Sequence, residues 1–400
     1  MVWEGSKALV RNFWILVGGF LAFFFLNVLN TSYSTLMVLI KEELALSYTM
    51  SGALMSGYFV GYTLGQIPWG FAADRHGSRR IMVLSILGIS SSTILFGLAR
   101  GFWHAVLTRF LAGLLGAGVF VPGVRLVSGW FPPEERGTAL GILSVGGSVG
   151  LILSSWITPS LAEQLGWRSA IVVFGLLGLA STMAMWLTIK DRSAEGGSSS
   201  SRAELVDVLR RRSFWILAAF QMVRLGSNYA FIAWLPLILR EEFGLSLVSA
   251  GLAFSVFNIA GMVSNPLGGM VSDRVGERRV LLISFAALGL GALVFPWIRV
   301  SISMHLSVFA LGWLVNFVRS PSFAIYPKLY GVERAGKVSG QQNTFASAGA
   351  LILPFILGYI RDASSSYRAG WIVLSLLLFS VATAIPFLEQ PSGRQGVEEL

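Results

Sequence analysis

The sequence predicts an all-α membrane protein of twelve transmembrane helices, arranged as two pseudo-symmetric six-helix bundles. Three observations lead there. The 400 residues are 54% hydrophobic and 12% charged, with a mean hydropathy of +0.70, so a soluble domain would have nowhere to bury its apolar surface. The apolar residues come in runs of about 20, the length that crosses a bilayer core. The second half of the chain also repeats the first at a nearly constant offset.

The apolar segments fall at 13–39, 49–71, 81–99, 104–130, 138–161 and 169–188, and after a break at 214–239, 246–271, 280–298, 306–330, 338–360 and 371–387. The implied organisation is an N-terminal bundle over 1–188, a cytoplasmic linker over 189–212, and a C-terminal bundle with a short tail over 213–400. The break runs Ser-Ala-Glu-Gly-Gly into four serines, a flexible composition. Leu205, Val208 and Leu209 then follow at helical spacing, which predicts a short interfacial helix. The first segment follows Lys7 and Arg11 as a signal peptide would, but it continues past Phe13 with no small-residue cleavage site and reads as a retained helix.

A net charge of +10 would suggest nucleic acid in a soluble protein. Here the basic residues sit in short loops between apolar runs, so they report topology and no nucleic-acid partner. With the N-terminus in the cytoplasm, the tails and even-numbered loops carry most of the Lys and Arg, which places both termini on the cytoplasmic side of the inner membrane. Trp14, Trp69, Trp103, Trp130, Trp215, Trp297 and Trp371 fall near predicted helix ends, as interfacial anchors do. Cysteine is absent, which excludes disulfides, thiolate metal sites and thiol nucleophiles, and three histidines leave little for a metal site. No cofactor, metal or catalytic residue is expected, and an enzyme would lack its base, nucleophile or metal. A membrane sensor that binds without transporting is the rival from a different class. A C-terminal tail of about a dozen residues speaks against it.

The repeat is explicit. Gly70-Phe-Ala-Ala-Asp74-Arg75-His-Gly77-Ser-Arg79-Arg80 returns as Gly269-Met-Val-Ser-Asp273-Arg274-Val-Gly276-Glu-Arg278-Arg279, at an offset of 199 that also relates Gly52 to Gly251 and Gly141 to Gly340. Phe13-Trp-Ile-Leu returns at Phe214 with an offset of 201, and Glu135-Arg136 returns as Glu333-Arg334 at 198. Two six-helix halves descend from one unit, as a parallel repeat about the membrane normal. Gly-x-x-x-Asp-Arg-x-Gly-x-Arg-Arg between helices 2 and 3, repeated between helices 8 and 9, resembles the loop signature of the major facilitator superfamily, and with the twelve segments the resemblance spans essentially the whole chain. It implies a secondary transporter working by rocker-switch alternating access, within one chain and hence as a monomer. Gly70 and Gly269 would permit close helix contact, and Gly77 and Gly276 a tight turn. Asp74, Arg75, Arg79, Arg80, Asp273, Arg274, Arg278 and Arg279 would form a cytoplasmic gate of charge-assisted bonds, with Glu134, Glu135 and Arg136 as partners.

The resemblance also implies that helices 1, 4, 7 and 10 line the substrate cavity. Those helices are unusually polar. Helix 7 carries Gln221, Arg224 and Asn228 on one face; helix 1 carries Asn27, Asn30 and Ser34 at the same spacing, with Tyr33; helix 10 has Asn316 and Arg319; helix 4 has Arg109 and Arg125. All 20 acidic residues lie in loops, tails or helix ends, so the central arginines have no obvious internal counter-ion. The missing partner is a small anionic substrate such as a carboxylate, held by the guanidinium fork. The expected substrate-binding set is Arg224, Arg319, Asn27, Asn30, Tyr33, Gln221, Asn228, Asn316 and Arg125. Arg109 and Arg125 lie nearer helix ends, where bonds to backbone carbonyls are the simpler reading. With no central carboxylate or histidine, the sequence disfavours built-in proton coupling.

Arg125-Leu-Val-Ser-Gly-Trp130-Phe-Pro-Pro-Glu-Glu-Arg136-Gly is similar to the stretch after helix 4 in organic-anion and nitrate porters, although helix 2 lacks the arginine of the nitrate branch. A drug/proton antiporter or a sugar carrier of the same superfamily is the alternative. Helix 5 lacks the Gly-Pro pair of the antiporters, whereas Arg109-Phe-Leu-Ala-Gly113 resembles a helix 4 motif they share.

Overall fold

A backbone in lipid has no water to bond, so each apolar run must satisfy its own N–H and C=O groups, and a helix does so within one segment. The computed structural model of the protein describes residues 12–191, 208–298 and 301–389, which are helical with short connections and contain no strand. The first four helices are α1 (Phe13–Glu43), α2 (Tyr48–His76), α3 (Ser78–Gly97) and α4 (Phe102–Trp130). A single helical run, Pro133–Thr188, turns at Gly166, where φ is 78°, and so divides into α5 (133–165) and α6 (167–188). The remainder are α7 (Arg212–Glu241), α8 (Leu247–Val275), α9 (Glu277–Trp297), α10 (Ile302–Tyr330), α11 (Val332–Ser364) and α12 (Tyr367–Phe387). Ten candidate spans meet the length and hydropathy of a membrane helix, with α5 and α6 counted as one. α2, with 29 residues, is long enough to cross but more polar. The interfacial helix expected over 203–212 lies mostly outside the described residues.

The chain forms two units: residues 1–197 with 236–255, and residues 198–235 with 256–400. In the first unit, glycines let backbones touch. A side chain added at Gly61 or Gly65 of α2 would strike the backbone carbonyl of Phe110 or Leu114 on α4, and one at Gly113 of α4 would strike that of Tyr58 on α2. Gly146 and Gly150 of α5 stand in the same way against Phe20 and Phe24 of α1. Helices in lipid gain little from the hydrophobic effect, so close backbone approach at small residues supplies the packing. The second unit reuses the device: Gly312 of α10 meets the carbonyl of Phe257 on α8, and Gly349 of α11 that of Met222 on α7. The pairs Gly113–Tyr58 and Gly312–Phe257 are one contact repeated 199 residues apart.

Both α4 and α10 are broken in the middle. α4 consists of Phe102–Gly116 and Phe120–Trp130, and α10 of a segment ending at Phe317 and a second, Arg319–Tyr330. Pro122 and Pro321, again 199 apart, explain both breaks. Neither has an N–H for the carbonyl four residues earlier, at Gly118 or Phe317.

The end of α7 and the start of α8 belong to the first unit. Glu241 lies 3.6 Å from Lys41 Nζ and accepts a 2.8 Å hydrogen bond from the Tyr48 hydroxyl, while Lys41 sits 4.1 Å over the Tyr48 ring. Gly251 of α8 abuts Ser155 and Pro159 of α5, and Ser255 donates to the Ile152 carbonyl at 3.4 Å.

Gly113→Val and Gly312→Val should each destabilise the detergent-purified protein by about 1–3 kcal/mol, because backbone, not a flexible side chain, blocks the new methyls. At Gly141 an added methyl meets nothing within 4 Å. Gly141→Ala, inside α5, should therefore hold or raise the unfolding temperature in the same thermal scan, by up to about 1 kcal/mol of stability.

Candidate functional site

The i, i+3, i+7 spacing puts Gln221, Arg224 and Asn228 on one face of α7. Arg224 is only 5% exposed, and its Nε donates to Gln221 Oε1 at 2.8 Å. Gln221 Nε2 donates to the Tyr326 hydroxyl at 2.6 Å and to Ser322 Oγ at 3.3 Å, both on the second segment of α10. Ser322 Oγ in turn donates to the Arg319 carbonyl at 2.7 Å. The turn that bears Arg224 is thus tied to the turn that bears Arg319. Among the described residues, neither arginine pairs with a carboxylate. Arg319 is exposed although it sits within a membrane-crossing helix. A charge at that depth is costly against lipid tails and calls for water, protein or a counter-ion around it. Asn228 is half-buried nearby on α7, whereas Asn316 bonds the Gly312 carbonyl at 3.1 Å and fills the space beside Gly261 of α8. Sequence reasoning overlooked Ser322 and Tyr326. They lie three and seven residues after Arg319, and that spacing was the available signal.

The first unit holds a second buried cation. Arg109, 3% exposed, donates from Nη2 to Asn30 Oδ1 at 2.9 Å and from Nε to the Leu54 carbonyl at 3.4 Å. Its guanidinium lies 4.0 Å over the Tyr33 ring and 4.8 Å from that of Tyr58. Asn30, Tyr33 and Arg109 therefore form one cluster, joining α1, α2 and α4. Asn27 stands apart: it donates to the Phe23 carbonyl at 2.9 Å and rests against Gly147 of α5. The Tyr33 hydroxyl reaches Met55 Sδ at 3.4 Å.

Arg125 ion-pairs with Asp74 of the first signature loop, so the structure joins it to a gate residue and not to Asn30 and Tyr33. Gly77 and Gly276 both adopt positive φ, 86° and 88°, which gives the tight turn expected of them. At Gly77 the turn also makes room for Asp191, whose carboxylate accepts a 2.8 Å bond from the Arg79 backbone N–H. Arg79 bonds the Trp186 carbonyl and lies 3.8 Å over its ring. In the second unit Arg278 bonds the carbonyls of Leu388 and Glu389, and Lys328 pairs with Glu277 at 2.5 Å. Arg75, Arg80, Asp273, Arg274 and Arg279 are exposed. Arg136 bonds the carbonyls of Phe131 and Ser128 and so caps the end of α4, while Glu135 is buried. The side chain of Glu134 lies outside the described ones. Gly70 has nothing within 4 Å of an added methyl, and Gly269 meets only Ser320, at 3.3 Å. Close helix contact is made instead at Gly61, Gly65 and Gly113. Among the described residues no cluster of His, Asp or Glu could hold a metal ion.

Arg109→Gln should lower thermal stability by about 2–3 kcal/mol, since a charge-assisted bond and two cation–π contacts are lost together in a dry site. Thermal unfolding in detergent measures it.

The description Major Facilitator Superfamily matches residues 15–354 and 221–398. A Bacillus subtilis (strain 168) protein named "Probable galactarate/D-glucarate transporter GudP" is 29% identical, over 95% of this chain and 91% of its own. The "Nitrite extrusion protein" of the same organism is 26% identical, over 90% of this chain and 88% of its own. The "Probable L-galactonate transporter" of Escherichia coli (strain K12) is 26% identical, over 92% and 88%. Among solved structures, a bacterial homolog to the human lysosomal transporter Spinster, inward-facing and unoccupied, aligns with a TM-score of 0.78 at 18% identity, covering 94% of this chain and 96% of that one.

Proposed function

The chain belongs to the Major Facilitator Superfamily, and on that premise we propose that Arg224 and Arg319 hold its substrate, an anion. It is a secondary transporter, not an enzyme. The relatives named for galactarate and glucarate, nitrite and L-galactonate support an anionic cargo. The observation that carries the assignment is Arg224: a nearly inaccessible cation in a membrane-crossing helix, bonded to one neutral amide and to no carboxylate among the described residues.

Such a charge costs about 2.5–3.5 kcal/mol on insertion scales. An anion reaching the exposed Arg319 and Arg224 behind it would offset that cost and would meet guanidinium groups whose planar forks match carboxylates and related oxyanions. Gln221 fixes the orientation of Arg224, and Tyr326 with Ser322 fixes Gln221. Asn228 follows Arg224 along the same face of α7, Asn316 is held by the Gly312 carbonyl beside α8, and Arg109 holds Asn30 and Tyr33 in the first unit.

The transport cycle is alternating access, with both termini and the two signature loops on the cytoplasmic side of the inner membrane and one chain as the working unit. The Asp74–Arg125 pair and the bonds of Arg79 and Arg278 serve as the gate. An anion entering alone would work against about 2.3 kcal/mol per charge per 100 mV of inside-negative potential. No acidic residue lies between Phe214 and Arg240 or between Ile302 and Tyr330 to carry a coupling proton. Exchange of one anion for another, or entry with a proton on the substrate itself, fits that composition.

Arg224→Gln removes a buried charge whose only described partner is Gln221, so the empty protein should fold and melt at or above the wild-type temperature. Stabilisation by anions should vanish in the variant. Thermal-shift titration with small carboxylates and nitrate checks both, and unchanged anion affinity would remove Arg224 from the site.

A further inference from the structure

The internal repeat exposes an asymmetry at the paired arginines. At the offset of 201 that relates the first helices of the two halves, Arg224 corresponds to Phe23; at 199, Arg319 corresponds to Phe120. In the first unit Phe23 and Phe120 are neighbours, with ring centroids 6.2 Å apart. The same two places in the repeated fold, next to the same broken helix, thus hold two rings in one unit and two guanidinium groups in the other. Consistent with that correspondence, hydrogen bonds through Gln221 and Ser322 tie the turn that bears Arg224 to the turn that bears Arg319.

Two like charges borne on turns that are tied together repel, and neither pairs with a carboxylate among the described residues. Their neighbours Gln221, Ser322 and Tyr326 are neutral. The arrangement carries two uncompensated positive charges, projected from two different helices. A monoanion between them would leave one guanidinium unmatched. A solute with an acid group at each end would satisfy both, each fork taking its own pair of oxygens.

Resting on the reading of Arg224 and Arg319 as the anion site, we propose that the transporter selects dianions whose two acid groups are on separate atoms, of the dicarboxylate class. Arg224 takes the group that reaches the buried position, and the exposed Arg319 takes the other. The phenylalanine pair at the corresponding places of the first unit offers no such partner.

The test needs only the purified full chain and matched ligands: succinate, glutarate, adipate and tartrate, the monomethyl ester of each, sulfate and nitrate, with affinity read from thermal-shift titration or calorimetry. The expected result is at least about tenfold tighter binding of one diacid than of its own monoester. In Arg319→Gln that ratio should fall to about one, because a single cation cannot tell the two apart. Equal affinity for diacid and monoester in the wild type, with both lost in Arg224→Gln, would overturn the dianion assignment and leave the anion site standing. Preference for sulfate over every diacid would also overturn it, by placing both charges on one group. Failure of all these anions to bind would overturn the anion site and the dianion assignment together. Because the diacid-to-monoester comparison is made in the wild type, it holds even if the Arg319 variant does not fold.

Discussion

The fold depends on how closely two helix backbones can approach. With lipid outside and no water to drive helices together, cohesion comes from contact between main chains, and that contact requires glycine at the crossing points. Gly61, Gly65 and Gly113 clamp α2 to α4, and Gly312 does the same for α10 against α8. These crossings matter to the site because Arg109 and Arg319 are carried on the clamped helices. A guanidinium group can be aimed only as well as the helix that carries it is fixed.

The proline breaks act on top of that clamp. Pro122 and Pro321 each release one carbonyl and turn the rest of the helix. In α10 the break falls just before Arg319, and in α4 it falls just before Phe120. The hydrogen-bond chain from Arg224 through Gln221 to Ser322 and Tyr326 spans from α7 to the segment after the break. Every member of that chain is neutral except the arginine, which keeps the local potential positive.

Much of this was legible in the sequence. The twelve segments, the duplication and the signature loops are all periodic or repeated, and hydropathy reads such patterns well. The face of α7 bearing Gln221, Arg224 and Asn228 was legible because α7 is continuous through those turns. Arg125 was harder. It lies beyond the break at 117–119, where a period of 3.6 residues counted from Arg109 no longer gives the true face, and it turns to Asp74 instead. The role of Gly70 was also misjudged, because a glycine's spacing does not say which neighbour it meets. Asn27 and Asn228 match by offset, yet Asn27 is occupied by its own helix and by Gly147, a contact only the three-dimensional structure reveals. Asp191 as the cap of α3 could not be foreseen, since 112 residues separate it from Arg79.

Because the two halves descend from one unit, the chain contains its own record of divergence. Gly77 with Gly276, Gly113 with Gly312, and Pro122 with Pro321 have been kept in both copies, and each answers a demand of the backbone. Phe23 with Arg224 and Phe120 with Arg319 have been allowed to differ, at places where the backbone is indifferent. Duplication thus let one copy hold rings at these two places while the other holds charge there, a division of labour that a single unsymmetrical ancestor would have had to evolve without a spare.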